Sequence, residues 1–184
     1  SEMQDLLIHT LKGVAAWANE ARAHGLTTTD ADNAVMDGLF ATITNANFDD
    51  AWFSAATTRA LHLREKLRNT VNASADASGS SVANALLLSD AATWTGAVQD
   101  YAVKAKKVGV LATEQEDVRS LRELVIYGLK GMAAYAHHAS VLGQRDDAVF
   151  AFMHKALTAT LDNSLDAGSL TALVLECGKL GVSA

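Results

Sequence analysis

The chain has 184 residues, a formal net charge of −6, no proline and a single cysteine. This length predicts one domain, or two small and similar units, that fold without disulfides or metals. The acidic balance, without a dense basic cluster, argues against nucleic-acid binding, and no apolar run approaches the roughly 18 residues that span a membrane. We therefore expect neither nucleic acid nor a membrane among its partners.

The composition indicates long helices. The chain holds 35 alanines, the strongest helix former, and no proline, although an average usage of about 5 % would supply roughly nine. A proline inside a helix removes a hydrogen bond and clashes with the preceding turn, so its absence leaves long helices uninterrupted. We predict an all-α fold.

The first helix is predicted to begin at Ser1, which forms a capping box with Gln4. It ends at Gly25, because glycine adopts the left-handed conformation that closes a helix without a steric penalty. Its apolar face, at helical spacing, consists of Leu7, Leu11, Val14, Ala18 and Ala21.

Two further helices are predicted in the first half of the chain. The second runs from about Asp30 to Thr44, and the third starts near Asn47 or Asp49. The inward positions of the second helix are Val35, Met36, Leu39, Phe40 and Ile43. Those of the third helix are Phe53, Ala56, Ala60, Leu63 and Leu67.

The middle of the chain is predicted to connect two units. The stretch 71–82 (VNASADASGSSV) consists of small and polar residues, which is typical of a flexible surface connection. Residues 89–107 are predicted to form one amphipathic linker helix. Its apolar face consists of Trp94, Val98, Tyr101, Ala102 and Ala105.

The sequence contains an internal repeat. Residues 5–25 (DLLIHTLKGVAAWANEARAHG) and 123–143 (ELVIYGLKGMAAYAHHASVLG) are identical at ten of 21 positions, at an offset of 118. Both glycines of the pattern are in register, as are the lysines Lys12 and Lys130. Such self-similarity indicates two copies of one structural unit.

The repeat predicts the architecture of the second half. Three more helices are expected at about 117–142, 146–161 and 166–181. We predict two tandem three-helix bundles related by internal duplication and joined by a linker helix. Their bounds are 1–70 for bundle 1, 71–116 for the flexible linker with its connecting helix, and 117–184 for bundle 2.

Gly13 and Gly131 occupy matching positions in the middle of their predicted helices. A glycine there costs about 1 kcal/mol relative to alanine. We therefore expect each glycine to let another backbone approach closely.

Motifs for metal binding are weak. A di-iron carboxylate bundle needs Glu-x-x-His on two helices, and no glutamate here is followed by histidine at that spacing. The pairs Glu20 with His24 and His62 with Glu65 are interpreted as surface pairs.

The adjacent His137 and His138 point about 100° apart on a helix, so they cannot share a metal unaided. A site joining His138 to Glu123 or His154 is left open by the spacing but is not required by it. We favour capping or surface roles for both members of the dyad.

Cys177 lies in LVLECGKLG, on the last predicted helix. Zinc and iron–sulfur sites take several thiolates or imidazoles, and the sequence supplies no partners for this one. We expect a buried side chain that acts as a small hydrophobe. Phosphate-binding loops and hydrolase motifs are also absent, so no catalytic, cofactor-binding or metal-binding residue is predicted in this chain.

The segments QDLLIHTLKGVAAWANEARAHG, LFATITNANFD and VGVLATEQEDVRSLRELVIYGLKGMAAYAHHASVLG, followed by LVLECG, closely resemble the hybrid cluster proteins. These are also called prismane proteins or hydroxylamine reductases. The resemblance covers essentially the whole chain, is specific over 108–143 and is weaker through 71–107. It implies the N-terminal helical domain of that family, which is built from two three-helix bundles.

The resemblance also implies a function. Members of the family are cytoplasmic iron–sulfur enzymes of anaerobic or nitrosative metabolism that reduce hydroxylamine to ammonia, and they are also credited with nitric oxide reduction. They carry one 4Fe-4S (or 2Fe-2S) cluster and one hybrid 4Fe-2O-2S cluster, and an NADH-dependent reductase donates the electrons.

None of the family's cluster ligands falls on a residue of this chain, because they match positions before Ser1 and after Ala184. We therefore expect a fragment that binds no iron and serves as a scaffold. Its expected partners are the remaining domains of the same polypeptide and, in a homodimer, a second copy. Apolar surface intended for later domains would be left bare, so self-association is also expected.

Two other interpretations stay open. One is a stand-alone helical module for protein–protein interaction. The other is the helical domain of a nickel–iron carbon monoxide dehydrogenase, a distant relative in fold, against which the stretch VRSLRELVIYGLKG argues. A ligand-binding bundle is disfavoured, because no polar constellation is expected to converge on a pocket.

Overall fold

The computed structural model describes residues 1–44 and 49–183, and over these residues the backbone is helical and contains no strand. The α-helices are α1 (Glu2–Ala23), α2 (Thr29–Thr44), α3 (Asp50–Ala77), α4 (Asp90–Thr93), α5 (Tyr101–Ala105), α6 (Glu116–Val141), α7 (Asp147–Ala159) and α8 (Ala167–Ser183). Short 3-10 turns lie at Ala85–Leu88, Val98–Asp100 and Val110–Ala112. The predicted all-α class is confirmed, and none of these helices is long and apolar enough to cross a bilayer.

The ends of the long helices follow the predicted signals. The Ser1 hydroxyl accepts a hydrogen bond from the Gln4 amide at 3.3 Å, which completes the capping box. Gly25 and Gly143 close α1 and α6 with φ of 70° and 76°, a conformation that favours glycine. Helix α3 is capped by Asp49, whereas the alternative start at Asn47 lies outside the described residues.

The predicted flexible connection over 71–82 is wrong in its first part, because α3 continues through it to Ala77. Val71 and Ala75 are buried, so they extend the apolar face of this helix beyond its predicted end. The helix ends at Ala77, two residues before Gly79, whose φ is 69°. Small polar residues alone were therefore not enough to end it.

The predicted single helix over 89–107 is also wrong. After α4 the backbone is extended at Trp94 and Ala97, and a 3-10 turn then leads into α5. Arg64 of α3 accounts for the break, because its guanidinium donates to the carbonyls of Ala91 at 3.2 Å and Trp94 at 2.6 Å. A continuous helix would use those carbonyls itself.

Most residues predicted to face inward are buried, including all five on α1. Phe40 and Leu63 are half-buried, whereas Ile43, Val98 and Ala102 are exposed. The last two became exposed because the linker helix is broken, so that its face does not stay in register.

Helix α1 lies at the centre of the molecule and packs against α2, α3, α4, α5 and α7. Helix α6, its repeat, packs against α2, α7 and α8. Because α1 and α2 touch α7 and α6 directly, residues of both repeats share one apolar core. The division into two tandem bundles at 1–70 and 117–184 stays a prediction.

The two matching glycines have different surroundings. A Cβ atom on Gly13 would overlap the carbonyl oxygen of Ala91 and lie 2.6 Å from its carbonyl carbon. A Cβ atom on Gly131 would meet nothing within 4 Å among the described residues. The expected close backbone approach is therefore confirmed at Gly13, whereas at Gly131 no other described part of this chain makes it.

This difference predicts opposite effects of one substitution. Gly13→Ala forces α1 and α4 apart, and we expect it to lower the free energy of unfolding by at least about 2 kcal/mol. Gly131→Ala, the matched control, removes the helix penalty of glycine without a clash and should raise stability by up to about 1 kcal/mol. Urea denaturation followed by circular dichroism measures both, and equal effects would contradict the packing at Gly13.

Candidate functional site

The histidine–glutamate pairs singled out in the sequence make other contacts. The Glu20 carboxylate accepts a hydrogen bond from Asn84 at 2.9 Å. Glu65 pairs with the guanidinium of Arg64 at 3.0 Å. His24 and His62 approach no cluster of metal-ligating side chains, and no group of three or more such residues exists in the described part of the chain.

The adjacent His137 and His138 contact different groups. His137 stacks on Phe40 with ring centroids 4.3 Å apart, and its Nδ1 lies 3.3 Å from a carboxylate oxygen of Asp37. His138 lines a groove beside Arg145. The structure does not bring it together with Glu123 or His154 as a metal site.

Cys177 is buried, as predicted, and its thiol donates to the Met132 sulfur at 3.2 Å. Burial raises the pKa of this thiol, which disfavours the thiolate that a metal requires. With one unsuitable thiol and no cluster of ligands around it, the described residues do not fit an iron–sulfur cluster.

A buried aspartate–histidine pair joins the two repeats. Asp32 of α2 and His154 of α7 are 3 % and 0 % exposed, and Oδ1 and Nε2 lie 2.7 Å apart. A carboxylate only accepts hydrogen bonds, so Nε2 carries the hydrogen in this contact. Nδ1 of His154 finds no hydrogen-bond partner among the described residues.

Two more side chains engage Asp32. The Thr28 hydroxyl donates to Oδ1 at 3.0 Å, and the Arg145 guanidinium donates to Oδ2 at 2.8 Å. Burial by itself raises the pKa of the Asp32 carboxyl, but the hydrogen bond and charge of His154, together with Thr28 and Arg145, outweigh burial and lower it. Both oxygens of the carboxylate are occupied, which suits a structural role.

A second set of contacts reinforces the junction from α1. Arg22 binds the Asp147 carboxylate with both guanidinium nitrogens, at 3.1 and 2.5 Å. The Asn19 amide donates to the His154 carbonyl at 3.2 Å and to the Thr158 hydroxyl at 3.0 Å. Directional contacts of this kind fix the register between the repeats.

An apolar surface remains open on α6 and α8. Three of its large side chains, Leu124, Tyr127 and Tyr135, are 48 %, 76 % and 55 % exposed. The groove between these helices is lined in part by the glycines Gly128, Gly131, Gly178 and Gly181. We call this surface the α6/α8 face.

The first repeat shows what covers the equivalent surface. Leu6 and Trp17, the counterparts of Leu124 and Tyr135, are 0 % and 5 % exposed. The Trp17 indole donates to the Ala92 carbonyl at 3.3 Å, and α4 and α5 both pack on α1. One repeat therefore carries a covered face, and the other carries the same face uncovered.

Sequence reasoning missed Asp32 and Arg64, and it considered His154 only as a metal ligand beside His138 and not as the partner of Asp32. Asp32 lies three residues before the buried Val35, and Arg64 lies four residues after the buried Ala60, so both occupy apolar helix faces. A charged residue at a core position was the available signal. Nothing local identifies His154 as the partner of Asp32, because the two are 122 residues apart.

The amino-acid sequence of the chain is similar to those of known proteins. The model of the Prismane/CO dehydrogenase family matches residues 1–184. The chain is 54 % identical over 183 residues to a protein named hydroxylamine reductase from Desulfitobacterium hafniense, with 99 % of this chain and 32 % of the relative covered. A hydroxylamine reductase from Clostridium botulinum is 46 % identical over 200 residues, with 99 % and 35 % covered. The chain thus spans about a third of the length of these relatives.

The buried pair predicts a stability defect with a defined pH dependence. Asp32→Asn leaves His154 and Arg145 without their carboxylate and should lower the free energy of unfolding at pH 7 by about 3 kcal/mol. Because the pKa of Asp32 is lowered, its contribution is complete above the unfolded value near 4 and is lost as pH falls through the native value. The variant should therefore lose less stability than the unaltered chain between about pH 5 and pH 2.

Asp30→Asn is the matched control, since its contact with Lys66 is 3.9 Å long and both side chains are 74 % exposed. It should change stability by less than about 1 kcal/mol. Chemical denaturation across this pH range measures all three proteins, and equal losses in the two variants would contradict the assigned role of Asp32.

Proposed function

Because this chain belongs to the Prismane/CO dehydrogenase family, we propose that it is the helical part of an iron–sulfur oxidoreductase that reduces hydroxylamine. The family match confirms the resemblance seen in the sequence. The relatives named hydroxylamine reductase support the choice of substrate, and their similarity runs along nearly the whole chain. The same proposal includes reduction of nitric oxide, a cytoplasmic location and an NADH-dependent reductase as electron donor.

Within such an enzyme the chain acts as a scaffold. The observation that carries this proposal is the α6/α8 face, which is open although its counterpart on α1 is covered. Gly131 leaves room for a backbone to approach α6 as Ala91 approaches Gly13, and Tyr127 and Tyr135 flank that position. We propose that other parts of the same polypeptide pack here.

The scaffold contributes rigidity and exclusion of water. Burying large apolar side chains against a partner stabilises the contact by about 1.5–3 kcal/mol each. The Asp32–His154 pair and the shared core keep the two repeats in a fixed relation while the face is engaged. The iron–sulfur clusters, one conventional and one hybrid, are held elsewhere in the enzyme in this proposal, because the described residues do not fit them.

A carbon monoxide dehydrogenase is the second candidate within the family, since the matching family model covers both classes. The names of the relatives favour hydroxylamine reduction. The α6/α8 face also suits a stand-alone interaction module, and the measurements below separate that function from the enzymatic one.

The scaffold role predicts that residues 1–184 alone hold no cluster. After anaerobic purification, we expect iron far below one atom per chain, no visible iron–sulfur absorbance and no hydroxylamine reduction with dithionite as reductant. The physical reason is the lack of grouped ligands among the described residues. Stoichiometric iron in the purified chain would overturn this prediction.

The complete reading frame that contains this chain tests the enzymatic proposal. We expect its anaerobically purified product to carry iron–sulfur clusters and to reduce hydroxylamine to ammonia. Clusters without this activity, or a product without iron, would contradict the proposed function.

Variants of the α6/α8 face test the scaffold role in that product. Tyr127→Ser and Tyr135→Ser should change the stability of residues 1–184 by less than about 0.5 kcal/mol, because both side chains are exposed. In the complete protein each should lower the melting temperature, because the side chain is then buried. Val103→Ser, at an exposed position of α5, is the control, and equal behaviour of all three variants in the complete protein would contradict docking at this face.

A further inference from the structure

A cavity of about 580 Å³ opens between α1, α6 and the segment that follows α4. Six of its lining residues are cationic: Lys12, Lys104, Lys107, Arg119, Arg122 and Lys130. Three are carboxylates, so positive charge is concentrated here in a chain whose net charge is −6. The expectation that no polar constellation converges on a pocket is therefore wrong.

Three carboxylates against six cationic side chains leave an excess of three positive charges in the cavity. Asp90 accepts from both His9 and Lys104, each at 2.7 Å. Asp5 and Glu123 form no ion pair within 4 Å in the described part of the chain. Burial lowers the pKa of His9 to about 4, so this side chain is neutral at pH 7 and adds no charge.

Two lysines face the cavity without a partner. Lys12 and Lys130, the identical lysines of the two repeats, line the same cavity from α1 and α6. Neither forms a hydrogen bond or ion pair with any described residue. Burial lowers the pKa of Lys12 to about 8, although Glu123 and Asp5 lie near enough to oppose the shift. An ammonium group that is partly desolvated and unpaired is a ready donor to an anion.

Arg122 is held in position at the edge of the cavity by neutral groups. It donates to the Thr113 hydroxyl at 3.3 Å, to the Asn163 side-chain oxygen at 3.1 Å and to the Asp162 carbonyl at 3.3 Å. Its Nε is buried and has no hydrogen-bond partner among the described residues. These contacts orient the guanidinium, and the Asp162 carboxylate lies near enough to interact with its charge without forming an ion pair within 4 Å.

We propose that this cavity binds a compact, doubly charged oxyanion of the phosphate and sulfate class, with Lys12 and Lys130 as its principal ligands. Lysine and arginine bind such anions through short, charge-assisted hydrogen bonds. Among the described residues that line the cavity none is Phe, Tyr or Trp, and its one imidazole, that of His9, is bound to Asp90, so no large aromatic side chain is present on which a nucleotide base would stack. The proposal is independent of hydroxylamine reduction.

Isothermal titration with sulfate tests the proposal on residues 1–184, with chloride adjusting every solution to the same ionic strength. We expect saturable binding that inorganic phosphate displaces. Lys12→Gln and Lys130→Gln should each weaken sulfate affinity by about tenfold, the loss of one charge-assisted contact. Lys106→Gln is the matched control, because Lys106 is exposed, lies beside Lys107 and does not line the cavity.

Thermal unfolding without sulfate establishes whether each variant is folded. If Lys12→Gln is not folded, Lys130→Gln alone provides the test. Affinity retained in folded Lys130→Gln, or reduced equally by Lys106→Gln, would overturn the assignment and leave only general attraction to positive charge. The absence of saturable sulfate binding to the unaltered chain would also overturn it.

Discussion

Helix α1 is surrounded by five other helices, and this is possible only because its residues are small where the neighbours come closest. At Gly13 the backbone of α4 occupies the space of a side chain, while Ala15, Ala16 and Ala18 let the remaining helices approach. Close approach increases dispersion contacts, and the lack of bulky groups limits the side-chain entropy lost on folding. The positions of α2, α3, α4, α5 and α7 follow from covering this one helix, while α6 packs in turn on α2 and α7, and α8 packs on α6 and α7.

The matching faces of α1 and α6 have different surroundings. The face of α1 is covered by the segment from α4 to α5, and Arg64 holds this segment in place through hydrogen bonds to the carbonyls of Ala91 and Trp94. On α6 this face is open. Asp49 and Asp166 immediately precede α3 and α8, which aligns the third helices at an offset of 117, and at this offset the counterpart of Arg64 is Gly181. The second repeat therefore lacks the anchor as well as the cover. The shared core and the Asp32 network hold it in place from the other side.

The features that the sequence predicted well are local. Gly25 and Gly143 end helices for steric reasons that a few residues determine, and the repeat located α6, α7 and α8 because it copies a pattern. The failures come from tertiary contacts. Helix α3 continues through Val71 because that side chain is buried in the core. The predicted linker helix breaks because Arg64, which is distant in sequence, donates hydrogen bonds to carbonyls of that segment. The anion-binding cavity was missed for the same reason, because only the folded chain brings Lys12 and Lys130 into one cavity.

The occupied state of the α1 face limits how copies of this chain can aggregate. If both repeats carried an uncovered apolar groove, each molecule would have two self-associating surfaces that point in different directions. Head-to-tail association through them would allow open-ended growth into fibres. With one groove filled by the chain itself, two molecules that meet through the α6/α8 face bury the surface that a third would need. Copies that associated through this face alone would therefore close at a two-fold symmetric pair. Covering one of two duplicated surfaces from within the chain would then oppose polymerisation.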